Sequence, residues 1–330
     1  MIFINTLIMG ILISISSYSW MGMWMGLEIN MLSIIPLMNN SKNMFSSEAS
    51  LKYFITQSMA SMILLFSIIM MLSNIEFITP MMNSSWSMIM SMSLLTKLGA
   101  APFHFWFPEV MEGLNWINCT IILTIQKIAP SILLINNELN TKMMISIISI
   151  SLLIAGMMGF NQTSLRKIMT FSSINHIAWM ITAMMISLSI WLIYFIIYTI
   201  ISINIIFMFY STNSFYLKQL INSMNKNKIM KFTLMLNFLS LAGLPPFLGF
   251  LPKWLTINWL IFNDFYLLTF LLIILTMISM YIYIRIIFTT LIINHNENMN
   301  KISIKNYFMI LFNFISINSL IIFTLLFNMM

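Results

Sequence analysis

The sequence predicts an all-α integral membrane protein with about eleven transmembrane helices, and three observations lead to this fold class. The 330 residues are 60% hydrophobic and only 7% charged, whereas a soluble domain carries about a quarter charged residues. Apolar runs of about 20 residues recur from end to end, and each is long enough to cross a bilayer. The runs are continuous rather than alternating in polarity, which excludes transmembrane β-strands.

The first five spans are expected at 2–19, 21–39, 51–73, 84–102 and 113–136. The first is expected to stay in the membrane, because the first basic residue is Lys42 and a signal peptide needs a basic start. The second carries Gly22 and Gly26, a spacing typical of close helix packing. The third is a plain apolar run, the fourth ends in a segment containing glycine and proline, and the fifth contains a lysine.

Six further apolar runs predict the later spans, at 143–160, 166–187, 190–211, 229–260, 264–292 and 306–328. The seventh span contains a histidine, and the ninth is interrupted by glycine and proline. The longest connector, around 212–228, is polar and basic, and it is interpreted as a solvated loop. Cys119 is the one cysteine of the sequence, so it cannot form an internal disulfide and is interpreted as a packing residue.

Basic residues are distributed unevenly between the two sides that this count defines. Ten lie in loops or at helix ends on the N-terminal side: Lys42, Lys52, Arg166, Lys167, Lys218, Lys226, Lys228, Lys231, Lys301 and Lys305. The loops on the other side carry only Lys142. Because basic loops stay on the inner side of a membrane, the N-terminus is predicted to face inside, which in a mitochondrion is the matrix. No loop interleaves basic and aromatic residues as nucleic-acid binding would require.

Two segments of the sequence resemble each other, at 95–108 and 239–252. Leucine, glycine, proline, phenylalanine and a second proline coincide at one fixed offset, although the chain has only nine glycines and eight prolines. Five spans separate the segments, so the chain runs through them in opposite directions. This pattern predicts an inverted repeat with a broken helix in each half, which is the pattern that marks transport sites.

The prolines of these segments explain why the helices should break. Proline lacks an N–H group and clashes with the carbonyl group four residues earlier. Pro102 should free the carbonyl of Leu98, and Pro245 and Pro246 should free those of Leu241 and Ala242. Unpaired carbonyls cannot face lipid, so each break predicts a polar cavity. A bend needed only for packing is the alternative.

Four ionisable residues fall inside or beside the predicted spans: Glu28, Lys97, Lys127 and Lys253. Each costs about 2.5–3.5 kcal/mol near the bilayer centre on insertion scales, so such residues are functional candidates. Pro130 should also free the carbonyl of Gln126, next to Lys127. A static ion pair between Glu28 and a lysine is one alternative, and Lys253 reaching towards the membrane surface is another.

These groups have the chemistry that proton transfer needs. Burial disfavours the ammonium form of a lysine and a nearby carboxylate favours it, so a change in one partner alters the other. His176 adds a group that titrates near neutral pH, although a hydrogen-bonded core histidine is an equal alternative. His104, Glu109 and Glu112 cluster in one predicted loop without the spacing of a metal site, and they are expected at the mouth on the inner side.

Seven blocks between about residues 20 and 254 carry a family resemblance: Trp24-Met-Gly-Leu-Glu28-Ile-Asn30-Met-Leu, Glu48-Ala-Ser-Leu-Lys52-Tyr-Phe, Lys97-Leu-Gly-Ala-Ala-Pro-Phe-His-Phe-Trp106, Gln126-Lys127-Ile-Ala-Pro130, Asn161-Gln-Thr-Ser-Leu-Arg166-Lys167, Ser172-Ser-Ile-Asn-His176 and Gly243-Leu-Pro-Pro-Phe-Leu-Gly-Phe-Leu-Pro-Lys253-Trp254. They are similar to the antiporter-like subunit family of complex I, in its animal mitochondrial NADH dehydrogenase subunit 2 branch. The part beyond residue 254 resembles the family mainly in its spans and in Tyr283-Ile-Arg285.

The resemblance implies an antiporter-like fold with two inverted halves, at 21–136 and 143–292, and a C-terminal helix at 306–328. In the family a membrane glutamate pairs with a lysine on the first broken helix and connects through further lysines along a polar axis. Those roles fall on Glu28, Lys97, Lys127 and Lys253. His176 is the candidate for the position that links them.

The resemblance also implies the function: a proton-translocating subunit of NADH:ubiquinone oxidoreductase in the mitochondrial inner membrane. The implied partners are neighbouring antiporter-like subunits, other membrane-arm subunits and lipid. The implied cofactors, which are NADH, FMN, iron–sulfur clusters and ubiquinone, belong to other subunits and none is expected in this chain. A free-standing cation/proton antiporter and a structural membrane subunit without pumping are the competing interpretations.

Overall fold

The structure is a computed structural model that describes residues 2–40, 43–73, 80–137, 140–224 and 228–292. Within these ranges the chain is helical, and the only β pairing there is one isolated antiparallel bridge between Ser164 and Tyr216. The predicted all-α fold class is therefore confirmed. The predicted span at 306–328 lies outside the described residues, as do the basic residues at 42, 226, 301 and 305.

The chain forms two compact units, Met1–Ser151 and Leu152–Met330. The helices that begin in the first unit are α1 (Ile2–Ser16), α2 (Trp20–Met38), α3 (Met44–Ser73), α4 (Pro80–Leu98), α5 (Trp106–Gly113), α6 (Trp116–Leu123), α7 (Ile125–Asn136) and α8 (Thr141–Gly159). The described helices of the second unit are α9 (Leu165–Ile186), α10 (Leu188–Thr212), α11 (Leu217–Met224), α12 (Lys228–Ala242), α13 (Phe250–Phe262) and α14 (Tyr266–Ile292).

Each of the first ten predicted spans is helical, but the helices are more divided than the sequence predicted. Six described spans are long and apolar enough to cross a membrane by length and composition: Trp20–Met38, Met44–Ser73, Trp116–Asn136, Thr141–Gly159, Leu188–Thr212 and Tyr266–Thr290. Two shorter apolar helices, Ile2–Ser16 and Met230–Ala242, accompany them. The count of about eleven spans therefore stays a prediction.

The first broken helix ends at a glycine rather than at the proline that follows it. α4 stops at Leu98, and Gly99 has a φ of +76°, a conformation that glycine adopts at little cost. The N–H groups of Gly99 and Ala100 donate to the carbonyl of Leu95 at 3.0 and 3.1 Å. This is the pattern of a glycine-capped helix end, so the predicted break is confirmed and its cause is the glycine.

The second broken helix ends in the same way, 144 residues further along the chain. α12 stops at Ala242, and Gly243 has a φ of +81°. The N–H groups of Gly243 and Leu244 donate to the carbonyl of Leu239 at 3.1 and 3.3 Å. The helices after the two breaks begin at Trp106 and Phe250, again 144 residues apart.

Two helices in the first unit pack backbone to backbone through glycine. A Cβ atom added to Gly26 of α2 would lie 2.5 Å from the backbone nitrogen of Ser14, and one added to Gly10 of α1 would lie 2.9 Å from that of Asn30. Gly22 instead lies against the side chains of Ser17 and Ser19. The close packing predicted for the Gly22/Gly26 pair therefore uses Gly26 with Gly10.

Helix α9 is the buried centre of the second unit. Every residue from Ile168 to Met184 is buried, although this stretch includes serine, asparagine, threonine and histidine. Buried polar side chains must be hydrogen-bonded to be tolerated. The neighbours of α9 therefore have to supply polar partners, and their identity defines the polar site of this unit.

Candidate functional site

Lys97 and Glu28 form the charged part of the first unit. Lys97 lies in the last turn of α4, immediately before the break, and its side chain is buried. Glu28 is half-buried on α2, and its charge acts on Lys97. No direct ion pair joins the two in the described part of the chain. The static ion pair that the sequence left open for these two residues is therefore absent there.

A small polar cavity surrounds Lys97. Its volume is about 10 Å³, and its polar lining comes from Asn30, Tyr53, Gln57 and Gln126 as well as the lysine. A space of this size holds about one water molecule. The cavity agrees with the prediction that a polar space accompanies the first break.

Two amide side chains connect α2 and α7 beside this cavity. The amide of Asn30 donates to Gln126 Oε1 at 3.1 Å, and Gln126 donates back to Asn30 Oδ1 at 2.8 Å. The hydroxyl of Tyr53, on α3, donates to the same Gln126 oxygen at 3.4 Å. Sequence reasoning gave these amides no role, although amides within an apolar span were an available signal.

Lys127 is buried on α7, close to a further helix discontinuity. The chain departs from helical geometry at Thr124, between α6 and α7, and the N–H of Lys127 donates to the Thr124 carbonyl at 3.2 Å. The Lys127 ammonium lies 5.7 Å from the centre of the Phe107 ring. The break was predicted around Gln126, but Pro130 continues within α7 and the discontinuity lies before it.

Lys253 lies at the start of α13 and points back to the second break. Its side chain is buried, and its ammonium donates to the carbonyl of Ala242 at 2.7 Å. The same ammonium lies 5.7 Å from the centre of the Trp179 ring on α9. The alternative in which Lys253 extends to the surface is therefore wrong, since the ammonium bonds the last carbonyl of α12.

The carbonyls freed at the two breaks differ partly from those predicted. Ala242 is one of the predicted carbonyls, and it accepts from Lys253. At the first break the indole of Trp106 donates to the carbonyl of Thr96 at 3.1 Å, whereas Leu98 was predicted. The reason is that each helix ends at its glycine, so the free carbonyls belong to the turn before that glycine.

His176 is buried on α9 and hydrogen-bonded to a tyrosine. Its Nδ1 lies 2.9 Å from the hydroxyl oxygen of Tyr194, on α10. Its ring centre lies 5.1 Å from that of Tyr198, one helical turn further along. Because a tyrosine hydroxyl can donate to a neutral imidazole or accept from it, this contact suits both a relay and a core histidine.

Three buried tyrosines extend the polar site of the second unit. Tyr194, Tyr198 and Tyr283 are each at most 3% exposed. Tyr198 is hydrogen-bonded to the side chain of Ser173, and Tyr283 to that of Ser172. Sequence reasoning missed all three tyrosines as site residues. The spacing of four between the first two, which places them on one helix face, was the available signal.

The expected cluster at the inner mouth is only partly a loop. Glu109 and Glu112 lie in α5, and Glu109 pairs with Lys52 at 2.9 Å while Glu48 pairs with the same ammonium at 2.9 Å. His104 is buried in the turn before α5, with Nδ1 3.2 Å from the carbonyl oxygen of Pro102. Across the described ranges, no group of three acidic, histidine or cysteine residues is arranged to hold a metal ion.

The fold and these sites define a class: helical membrane proteins whose interrupted helices carry buried lysines. The chain belongs to the NADH:quinone oxidoreductase/Mrp antiporter transmembrane family, whose sequence profile matches residues 17–279.

Curated relatives place it more narrowly within that family. It is 48% identical to a protein of Anopheles gambiae, with 100% of this chain and 98% of the relative covered. It is 51% identical to one of Aedes aegypti, with 99% and 97% covered, and 46% identical to one of Locusta migratoria, with 92% and 89% covered. All three relatives are named NADH-ubiquinone oxidoreductase chain 2.

Solved structures share the fold at much lower identity. A chain of the respiratory complex I of Thermus thermophilus is 18% identical with a TM-score of 0.85, and the match covers 96% of this chain and 77% of that one. A chain of an archaeal membrane-bound sulfane sulfur reductase is 15% identical with a TM-score of 0.80, and the match covers 98% and 72%. The antiporter-like fold is therefore confirmed.

Proposed function

We propose that this chain is the proton-translocating chain 2 subunit of mitochondrial NADH:ubiquinone oxidoreductase. Protons move along Glu28, Lys97, Lys127, His176 and Lys253, driven by electron transfer in other subunits. The observation that carries the proposal is the position of the buried lysines at helix breaks, with the Lys253 ammonium bonded to the last carbonyl of α12. A buried ammonium with so few polar partners is costly, which favours a role in which its charge changes.

In the first unit, proton transfer would depend on the coupling between Glu28 and Lys97. The glutamate charge favours the ammonium form of the lysine. When Glu28 takes up a proton, that support is lost and Lys97 releases its own proton. The cavity of about 10 Å³ beside the lysine has room for the water molecule that would receive this proton.

In the second unit, the hydroxyl groups around His176 would carry the proton. A tyrosine hydroxyl can accept a proton on one side and release its own on the other, so it transfers a proton without becoming charged for long. Tyr194 lies at hydrogen-bond distance from His176 Nδ1. Lys253 contacts Trp179, one helical turn beyond the histidine on α9.

The setting of this function is part of the proposal. The protein would lie in the mitochondrial inner membrane with its N-terminus in the matrix and its C-terminus in the intermembrane space. Neighbouring antiporter-like subunits, other membrane-arm subunits and lipid would surround it. NADH, FMN, the iron–sulfur clusters and ubiquinone would be bound by other subunits.

The experiment that tests this function measures NADH-driven proton pumping by the intact complex in vesicles. Glu28→Gln and Lys97→Met should each lower the number of protons moved per electron and the turnover, because each removes one partner of the coupled pair. Assembly should persist, since the two side chains do not form a direct ion pair. Lys142→Gln, which removes an exposed lysine, is the matched control and should leave pumping unchanged.

The outcomes also separate the competing functions. A normal proton-to-electron ratio in both variants would assign the residues to structure and would contradict the proposal. Proton movement that continues without NADH and follows a sodium or potassium gradient would identify a free-standing antiporter instead.

A further inference from the structure

The second unit contains a cavity that the proton path does not use. Its volume is about 470 Å³, within the range of roughly 300–1,000 Å³ typical of ligand sites. It lies between the loop that joins α8 to α9, helix α11 and the end of α14. Its walls include Ile168, Ile221, Ile282 and Ile286, and its basic residues are Lys218 and Arg285.

One wall of the cavity is built from the connector that sequence analysis interpreted as a solvated loop. That interpretation is wrong, because the segment contains α11, whose residues Leu220, Ile221 and Met224 are buried. The chain before α11 pairs with the chain before α9. The N–H of Leu165 donates to the Phe215 carbonyl at 2.9 Å, and the N–H of Leu217 donates to the Thr163 carbonyl at 3.1 Å. The wall is therefore ordered structure.

The polar part of the cavity is positively charged. Lys218 and Arg285 are both exposed, and among the described residues that line the space none is acidic. Arg285 Nη1 donates to the carbonyl of Phe160 at 2.7 Å, which holds the guanidinium at the rim. A guanidinium has five N–H donors, so donors remain for an anionic ligand.

We propose that this cavity binds the phosphate headgroup and upper acyl chains of an anionic phospholipid. Basic pockets between transmembrane helices are suited to acidic lipid headgroups, and a guanidinium matches the geometry of phosphate oxygens. The isoleucine walls would contact acyl chains, whereas a small water-soluble anion would leave them without a partner. α11 has one apolar face and a basic residue on its exposed side, as expected of a helix at the membrane surface. This site is independent of the proposed proton path.

The test uses the intact complex in vesicles that contain a trace of photoreactive phosphatidylglycerol or photoreactive phosphatidylcholine. After illumination, labelled peptides are located by mass spectrometry. We expect labelling of the peptides around residues 216–221 and 282–289 by the anionic lipid and much weaker labelling by the zwitterionic one. Lys218→Gln should lower that labelling roughly fivefold, since each basic residue near the surface contributes about 1 kcal/mol to anionic lipid binding.

Matched variants and a competitor make the outcome decisive. Lys218→Arg keeps the charge and should keep the labelling, and Lys142→Gln, which removes an exposed lysine outside the cavity, should leave it unchanged. Equal labelling by both lipids would overturn the proposal. So would loss of labelling when inorganic phosphate is added at constant ionic strength, because this would identify a free-anion site. The absence of label from both peptides would show that protein covers the cavity, and it would overturn the proposal too.

Discussion

At the residue scale, the second unit shows how a buried charge is held without an acidic partner. The Lys253 ammonium bonds the Ala242 carbonyl at 2.7 Å and faces the Trp179 ring. A carbonyl at a helix C-terminus carries partial negative charge from the helix dipole, which favours a cation there. A tryptophan face adds a further attraction for an ammonium group. Both interactions are weaker than an ion pair, so the lysine can release its proton without leaving an unpaired carboxylate behind.

The residue that acts on His176 gives a prediction at the same scale. Tyr194→Phe removes the hydroxyl that lies 2.9 Å from His176 Nδ1 while keeping the ring. A hydrogen bond contributes about 0.5–1.5 kcal/mol, so NADH-driven turnover should fall about two- to tenfold if that bond positions a relay group. The measurement is the turnover of the assembled complex in coupled vesicles.

The control for this prediction is Tyr281→Phe. Tyr281 is half exposed on α14 and stacks on Phe160, so removing its hydroxyl should not change turnover. Equal turnover in both variants would mean that the Tyr194 hydroxyl has only a packing role.

At the element scale, sequence patterns predicted the helices well and their interruptions in part. Continuous apolar runs marked ten helical stretches, and scarce glycines marked the ends of α4 and α12. The discontinuity at Thr124 had no such signal, because no glycine accompanies it. The short helices α5 and α11, each of eight residues, were missed because helices of this length depend on tertiary packing rather than on their own sequence.

The tyrosine cluster could not be predicted for a related reason. Tyr194 and Tyr198 lie on α10, whereas Tyr283 lies on α14. Their meeting with the serines of α9 depends on which faces of three helices pack together, and a single sequence does not contain that information. The five ionisable candidates were accessible from the sequence, since charge inside an apolar run is visible without knowledge of packing.

A helix break gives the prediction at this scale. Gly243→Ala should destabilise the second break, because alanine is strained at a φ of +81°, at a cost of more than about 1 kcal/mol. The added Cβ would also lie 2.8 Å from Lys253 Nζ and would displace the ammonium. Both thermal inactivation temperature and NADH-driven turnover of the complex should fall.

Gly22→Ala is the matched control for the helix break. The Cβ added there would meet the side chains of Ser17 and Ser19 at 3.0 and 3.2 Å, and these small groups can move aside. The control should match the parent protein in both measurements. A Gly243→Ala variant that also matched the parent would show that the glycine conformation is not needed for the site.

At the scale of the whole molecule, two compact units repeat one local design. Each contains a helix that ends at a glycine with positive φ, followed 144 residues apart by the same turn and a new helix. A buried lysine belongs to each break, but at different places: Lys97 precedes the first break and Lys253 follows the second. The units therefore share the interruption of the backbone and differ in the side from which the charge reaches it.

The orientation in the membrane is the prediction that concerns the whole chain. Lys218→Cys should react with a membrane-impermeant maleimide only from the matrix side, and Lys142→Cys only from the intermembrane space. Both positions are exposed, and the native Cys119 is buried and should stay unlabelled. Mitoplasts and inverted inner-membrane vesicles provide the two sides, and labelling of both positions from one side would contradict the predicted topology.

The most direct test of the account is a density map of the intact complex that shows side chains and ordered water. The account predicts water within hydrogen-bond distance of the Lys97 ammonium in the first unit. In the second unit it predicts a chain of water and hydroxyl groups that joins Lys253 to His176. Lysine ammonium groups enclosed only by apolar side chains, with no water or hydroxyl beside them, would contradict it.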